Sequence, residues 1–340
     1  MIRILILSVF FNSTLASQSI EKYYQLINKA ELKIINDSIP DAIEAYKIAF
    51  SSFEKPFSKD IHNALICSIK NGDNNLASEL VKRLISLGCD LEFFRTHNNL
   101  DDYIKTKYWF EVVSLYPSLR KQYYSKINLD LRSKIESFLC RDQFWRHQDP
   151  NYTVLKDSTF LEDENLMEEL HKIFESGYPD EYDVGLFFRN NKSIDHFNTI
   201  PVILLHNYTS YEKYKIGIDL TDKLLEYVHS GELNNGLFAY LHDRSGDFML
   251  NFGYASTSIF KVRGKFYKDQ SSIEVLKKRN LNRKTIWMDQ LEDFYRKFIF
   301  QQNNSEFQFF TFPSASQIDL PDELVKKVFK ELKLTDNNNR

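Results

Sequence analysis

From residue 20 to about 124, apolar side chains recur every three to four positions in short runs, and each run ends in a polar or glycine-bearing break. That is the pattern of short helices packing through one face. YYQLINKAELKIIN gives way to Asp37 and Ser38, and PDAIEAYKIAFSSF follows with Pro40 in the first turn of the next helix, where a missing N–H leaves no helical bond unmade. KDIHNALICSIKNG stops at Asn71-Gly72, and NNLASELVKRLISLG stops at Gly88, a residue suited to a left-handed end. In the second run Ala42, Ala45, Tyr46 and Ala49 share a stripe, and small residues there admit a close partner helix.

Tyr116-Pro117 predicts a break. Residues 117–144 then read as one long amphipathic helix carrying Leu119, Ile127, Leu131, Ile135, Phe138 and Leu139. HQDPNYTVLKDST is a loop, and ENLMEELHKIFESG is a helix stopped by Gly177. Residues 198–233 hold two helices, and NNGLFAYLHDRSGDFML holds a third. The segment FGYASTSIFKVRGKFYKD is aromatic and β-branched with Arg263-Gly264 in its middle, which predicts a small hairpin. LNRKTIWMDQLEDFYRKFIF returns to helix, and the polar TDNNNR closes the chain as a flexible tail.

The opening MIRILILSVFFNSTLASQS changes the picture of location. Arg3, the apolar run 4–11 and the small residues around Ala16 form the pattern of a secretory signal peptide over residues 1–16. The expectation is export, to the periplasm or outside the cell. No later run approaches the roughly 18 apolar residues of a membrane helix, so no membrane span is expected after leader removal.

At 340 residues, two domains are the natural reading. Aromatics at 15% argue against a disordered chain. With 44 Lys+Arg against 47 Asp+Glu and no long basic run, a nucleic-acid partner is not expected. Cys67, Cys89 and Cys140 are scattered without metal-ligand spacing. Buried free thiols are expected, with a bridge between Cys67 and Cys89 left open. No P-loop, H-E-x-x-H or G-x-S-x-G pattern occurs, and neither a cofactor nor a metal is expected.

Candidate chemistry therefore rests on polar groups beside apolar helices. Asp142 and Arg146 stand four apart and share a helical face, so the arginine could hold an anionic group while the carboxylate orients it, or the two could form a plain ion pair. His206 ends the apolar run 201–205 and titrates near neutral pH, which suits a general base or a half-buried core histidine alike. Asp243 and Arg244 follow the stripe 237–241 and could floor a cleft or lock two helices. Together they outline a site with His206 as base, Asp243 as its orienter, and Asp142, Arg146 and Arg244 as the substrate-binding set.

Two resemblances join this reading. Residues 20–116 resemble tetratricopeptide-type helical hairpins, with the tail DLEFFRTHNNLDDYIKTKYWFEVV matching through Leu100, Asp101 and Trp109. Such hairpins bury their faces only by stacking, which implies that the array caps itself or leans on the next domain. Residues 129–298 carry, in order, Asp142-Gln143 with Arg146, Gly177-Tyr178-Pro179, Gly185, His206, Gly231-Glu232, Ala239-Tyr240-Leu241 with Asp243-Arg244, Gly253, and Asn282-Arg283. This series is similar to an uncharacterised bacterial family, the domain of unknown function numbered 6624. Leu205, Tyr208, Tyr254 and Ala255 stand where that family has glutamine, aspartate, threonine and glutamine. The resemblance implies that His206, Asp243 and Arg244 belong to a characteristic site, and that polar groups have been lost around it.

The expected fold is mainly α: tetratricopeptide-like helical hairpins over 20–116, then a helical domain over 117–334 with a small β-hairpin-like insertion, and a tail at 335–340. The expected function is an exported binding or scaffolding protein that meets a protein partner through its repeats. The competing expectation is a hydrolase or transferase acting on a small anionic ligand, with His206 as general base.

Overall fold

The computed structural model describes residues 2–150, 154–189, 193–196, 198–214, 217–245 and 253–332. Side chains are described from Ser19 on, except at 209–214, 245 and 322. The expected leader side chains and the tail at 335–340 lie outside these residues.

The N-terminal part is built from two helical hairpins. Helix α1 (Ile2–Ile35) turns at Asp37, which takes φ 57, into α2 (Ile39–Ser52). Helix α3 (Ser58–Lys70) turns at Asn71-Gly72 into α4 (Asn74–Leu87), whose first turn is capped by Asp73 accepting from the Leu76 N–H at 3.1 Å. Ala42, Ala45, Tyr46 and Ala49 are all buried, and α1 packs along α2, α3 along α4. A short α5 (Leu91–Arg95) and two 3-10 turns follow, then α6 (Lys107–Lys126), capped by Thr106 and packed on α4.

The break expected at Tyr116-Pro117 is not there. Pro117 sits inside α6, and the chain turns ten residues later at Ile127-Asn128. Proline removes one helical hydrogen bond, but this one is on the exposed face, where water can serve the freed carbonyl. Asn128 then accepts from the Leu131 N–H at 3.0 Å and starts a separate α7 (Leu129–Gln148).

Helix α8 (Lys156–Phe174) lies against α7. A one-turn α9 (Glu181–Val184) leads to the short antiparallel pair β1 (Phe188–Arg189) and β2 (Ser193–Ile194). Helix α10 (Thr199–Tyr214) packs against α7, α8 and α12 (Asn235–Ser245), with α11 (Thr221–Ser230) between α10 and α12 in the chain. Helix α11 ends at Gly231, which has φ 82; a Cβ there would come within 2.5 Å of the Phe53 ring. The glycine thus allows both the left-handed stop and the close approach of the N-terminal hairpins.

The hairpin expected around Arg263-Gly264 is present as β3 (Ile259–Val262) and β4 (Lys265–Asp269). Arg263 and Gly264 both take positive φ, 48° and 83°, which matches the right-handed twist of paired strands. The hairpin is the centre of a larger sheet than the sequence pattern suggests. After α13 (Ile273–Thr285) and α14 (Leu291–Asn303), β5 (Ser316–Gln317) pairs parallel with β3; then α15 (Asp322–Val328) leads into β6 (Phe329–Leu332), antiparallel to β4. The order is β5-β3-β4-β6. The single helix expected over 281–300 is also divided, because Trp287 takes φ 57 and Arg283 bonds back to the Asp289 carbonyl at 2.6 Å.

Three apolar clusters form the core. One fills α7, α8 and α10 to α12, and another lies between the sheet and α14. The third lies within the N-terminal hairpins but includes Leu186, Ile194, Phe307 and Phe309 from the C-terminal half. The hairpins therefore share their core with the C-terminal half, whose apolar side chains cover surface that two hairpins alone leave open. Charged groups cross the same seam. Asp60, Lys59, Glu31, Lys297, Asp289 and Arg283 alternate in sign along a buried ladder with contacts of 2.6, 2.6, 2.6, 3.0 and 2.7 Å. A buried ion is tolerated only with matched partners, so the ladder fixes how α1 and α3 sit on α14.

The three cysteines are free; Cys67 and Cys89 are buried and Cys140 is exposed. Among the described residues no helix is long and apolar enough to cross a membrane, and no cluster of His, Cys, Asp and Glu could hold a metal ion.

Candidate functional site

The helix α7 buries Ile135, Phe138 and Asp142 on one face. The first two are apolar and explain why that face turns inward. Asp142 is carried in with them, 1% exposed, and a carboxylate at that depth requires donors. Its Oδ2 accepts from Gln143 at 2.5 Å, and its Oδ1 accepts from Arg146 Nη1 at 3.0 Å. The i,i+4 pair read from the sequence is thus formed.

Arg146 is not a bare cation. Its Nη2 also reaches both oxygens of Asp163 on α8, at 2.8 Å each. Burial raises the Asp163 carboxyl above its ordinary range, an effect that Arg146 partly offsets. Sequence reading missed Asp163. Its signal was an acidic residue in register with Leu166, Met167 and Leu170 on the buried stripe of α8, which is where an unexpected charge demands a partner.

His206 enters from α10. Its Nδ1 lies 2.7 Å from Asp142 Oδ1, with the carboxylate side chain wholly buried and the imidazole 26% exposed. An ionised carboxylate accepts from Nδ1–H, which leaves Nε2 of the neutral ring with a free lone pair. The four groups form one chain from Asp163 through Arg146 and Asp142 to His206. Such an arrangement holds an imidazole in one tautomer and one orientation.

Asp243, expected beside His206, is turned to a different task. It is 2% exposed; its Oδ1 accepts the Tyr254 N–H at 2.9 Å, and its Oδ2 accepts the Ser256 N–H and hydroxyl at 2.7 Å each. Its place as the histidine's orienter is held by Asp142. The physical reason is that the turn around Ala255, at φ 55, presents the buried N–H groups of Tyr254 and Ser256, which need an acceptor that Asp243 supplies. Asn282 and Arg283 grip the other side of this turn, donating to the Gly253 and Tyr254 carbonyls at 2.7 and 2.8 Å. His242 lies against the same turn, its ring 5.1 Å from that of Tyr254 and its Nδ1 3.7 Å from Asp243. Arg244 follows on the last turn of α12 and interacts with the Tyr240 hydroxyl.

The sequence landmarks therefore gather in three places. Asp142, Gln143, Arg146 and His206 meet between α7 and α10, and Asp243 meets Gly253, Asn282 and Arg283. Gly177-Tyr178 meets Glu232, whose Oε2 accepts the Tyr178 N–H at 2.8 Å. At the positions where the resembled family has glutamine and aspartate, Leu205 is half-buried and Tyr208 is buried with its hydroxyl 3.4 Å from Thr221. Comparison with protein-family models, with curated proteins and with solved structures finds no match for the chain.

Proposed function

We propose that the helical domain is an acid–base catalyst of the hydrolase or transferase class, in which His206 takes a proton at Nε2 from water or a substrate hydroxyl. The observation that carries this reading is the 2.7 Å contact from His206 Nδ1 to Asp142, with the carboxylate buried and the imidazole partly exposed. A general base needs both a fixed tautomer and access to the proton it removes; a buried carboxylate at Nδ1 and a partly exposed ring support that reading. As His206 becomes imidazolium, the Asp142 charge stabilises it, and the same proton is returned to the leaving group.

In this scheme Asp142 orients the base, and Arg146 and Asp163 position Asp142. Two nitrogens of Arg146 are occupied by those carboxylates, so Arg146 serves to hold the base rather than to meet an anionic substrate group. Asp243 shapes the turn at 254–256. The rest of the proposal follows from sequence: an exported chain with a leader at 1–16, tetratricopeptide-like hairpins offering a surface to a protein partner, and a helical domain related to the uncharacterised family.

The test is turnover of chromogenic carboxylic esters, phosphate monoesters and phosphate diesters by the purified full chain and by His206→Ala. Turnover of one class, reduced at least about 100-fold in the variant, is the expected result. No turnover of any class, or equal turnover by both proteins, overturns the catalytic reading and leaves the binding-protein reading in its place.

A further inference from the structure

A cleft of about 250 Å³ lies at the start of α7, the opposite end of that helix from Asp142, lined by Arg120 and Tyr124 of α6, Leu129 and Arg132 of α7, and Phe188 of β1. Arg120 is half-buried. Its guanidinium stacks on two rings, 4.6 Å from the centroid of Tyr123 and 4.9 Å from that of Tyr124. Its Nη1 donates to the Gly88 carbonyl and its Nη2 to the Tyr124 hydroxyl, at 2.8 Å each. These contacts fix the plane of the cation, yet every one is to a neutral group, and they use two of the five N–H donors of an arginine. Among the described residues Arg120 has no carboxylate partner. Tyr124 is 52% exposed and accepts from Arg120, so its own O–H proton is left for another acceptor.

A planar cation held in place with its charge unmatched suits a planar anion, and the guanidinium fork matches a carboxylate. Arg132 adds a second guanidinium to the wall; its Nη1 donates to the Val184 carbonyl at 2.6 Å, and its Nε lies 3.0 Å from Glu136, which is 50% exposed. Asp90 also lines the cleft, its carboxylate accepting the Phe93 N–H at 2.8 Å as the cap of α5. That neighbouring acid limits the charge that fits: one negative charge is balanced by Arg120, and a second is opposed by Asp90. The remaining walls are aromatic or aliphatic, at Tyr124, Phe188, Leu129 and Leu186. The volume exceeds the roughly 150 Å³ that admits a benzene ring, so the body of the ligand is a single ring.

We propose that this cleft binds a small aromatic carboxylate, with the carboxylate accepting from Arg120 and the Tyr124 hydroxyl and the ring against Leu129 and Phe188. The site is independent of His206 and of any reaction there.

Titration calorimetry on the full chain at neutral pH tests it with benzoate, benzamide and phenyl phosphate as probes. Benzoate is expected to bind tightest. Benzamide keeps the ring and the planar head but lacks the charge, and phenyl phosphate carries a second charge towards Asp90; each should bind at least about tenfold more weakly. Arg120→Gln should weaken benzoate at least about tenfold. Leu129→Glu leaves Arg120 in place and sets a like charge beside the ligand, at the first position of α7, where an acidic residue suits the helix. It should weaken benzoate too, and both variants are checked by thermal melting. No benzoate binding by the unaltered chain, binding of benzamide or phenyl phosphate as tight as that of benzoate, or an unchanged benzoate affinity in either folded variant overturns the proposal.

Discussion

Asp142 Oδ1 and His206 Nδ1 lie 2.7 Å apart although 64 positions separate them in the chain. One comes from the buried stripe of α7 and the other from the middle of α10, and the packing of those two helices makes the pair. Asp142→Asn tests its meaning directly. An amide can present its NH₂ to Nδ1 and favour the wrong tautomer, so turnover should fall by about 10²–10⁴. Nitrogen chemical shifts should move the His206 proton from Nδ1 towards Nε2; an unmoved tautomer would remove Asp142 from the orienting role.

Asp163→Ala should destabilise the helical domain without touching His206 itself. It strips Arg146 of a bidentate partner in a place where the arginine side chain is 11% and the aspartate 6% exposed. Loss of one member of a buried pair costs about 3–5 kcal/mol, to be read from urea unfolding. A change below about 1 kcal/mol would place this pair among ordinary surface contacts.

The ladder across the seam gives an internal contrast. Lys297, with its side chain 3% exposed between Glu31 and Asp289, should cost about 3–5 kcal/mol when changed to Met. Lys33, paired with Asp41 at 2.8 Å but 35% exposed, should cost under about 1 kcal/mol when changed the same way. Equal losses in a denaturant titration would contradict the account of the seam.

Acid should weaken the fold through His62. Burial, with His97 and His196 nearby, lowers this imidazole from its usual 6.5 to about 3, and neither ring nitrogen has a partner among the described residues. The unfolded chain takes up a proton below pH 6.5 while the folded chain refuses it until about pH 3. Stability contributed by the neutral ring is present above the first value and is lost as pH falls, by about 1.4 kcal/mol per pH unit. His62→Phe should flatten the stability curve between those limits; an identical slope in both proteins would refute the assignment.

Much of the helical part was legible because it rests on local signals. Helix stops at Gly72 and Gly88, the alanine stripe of α2 and the Asp142–Arg146 spacing each depend on residues within a turn or two of one another. The Arg263-Gly264 hairpin was legible for the same reason. Pro117 misled because proline is a strong local signal whose effect depends on whether its face meets water. The division at Trp287 was hidden because it rests on a positive φ at a tryptophan, a residue type that does not announce one, and the outer strands β5 and β6 because their partner, the β3–β4 hairpin, lies far back in the chain.

By itself the amino-acid order determined which segments are helical, where most of them stop, and that Asp142 and Arg146 share a face, since all of these follow from side-chain periodicity and short-range backbone chemistry. Only the tertiary structure decided that Asp142 and not Asp243 meets His206, and that Asp163 completes the chain. Those outcomes depend on how helices distant in sequence cross, where each buried charge must find a partner from whichever neighbour the packing supplies.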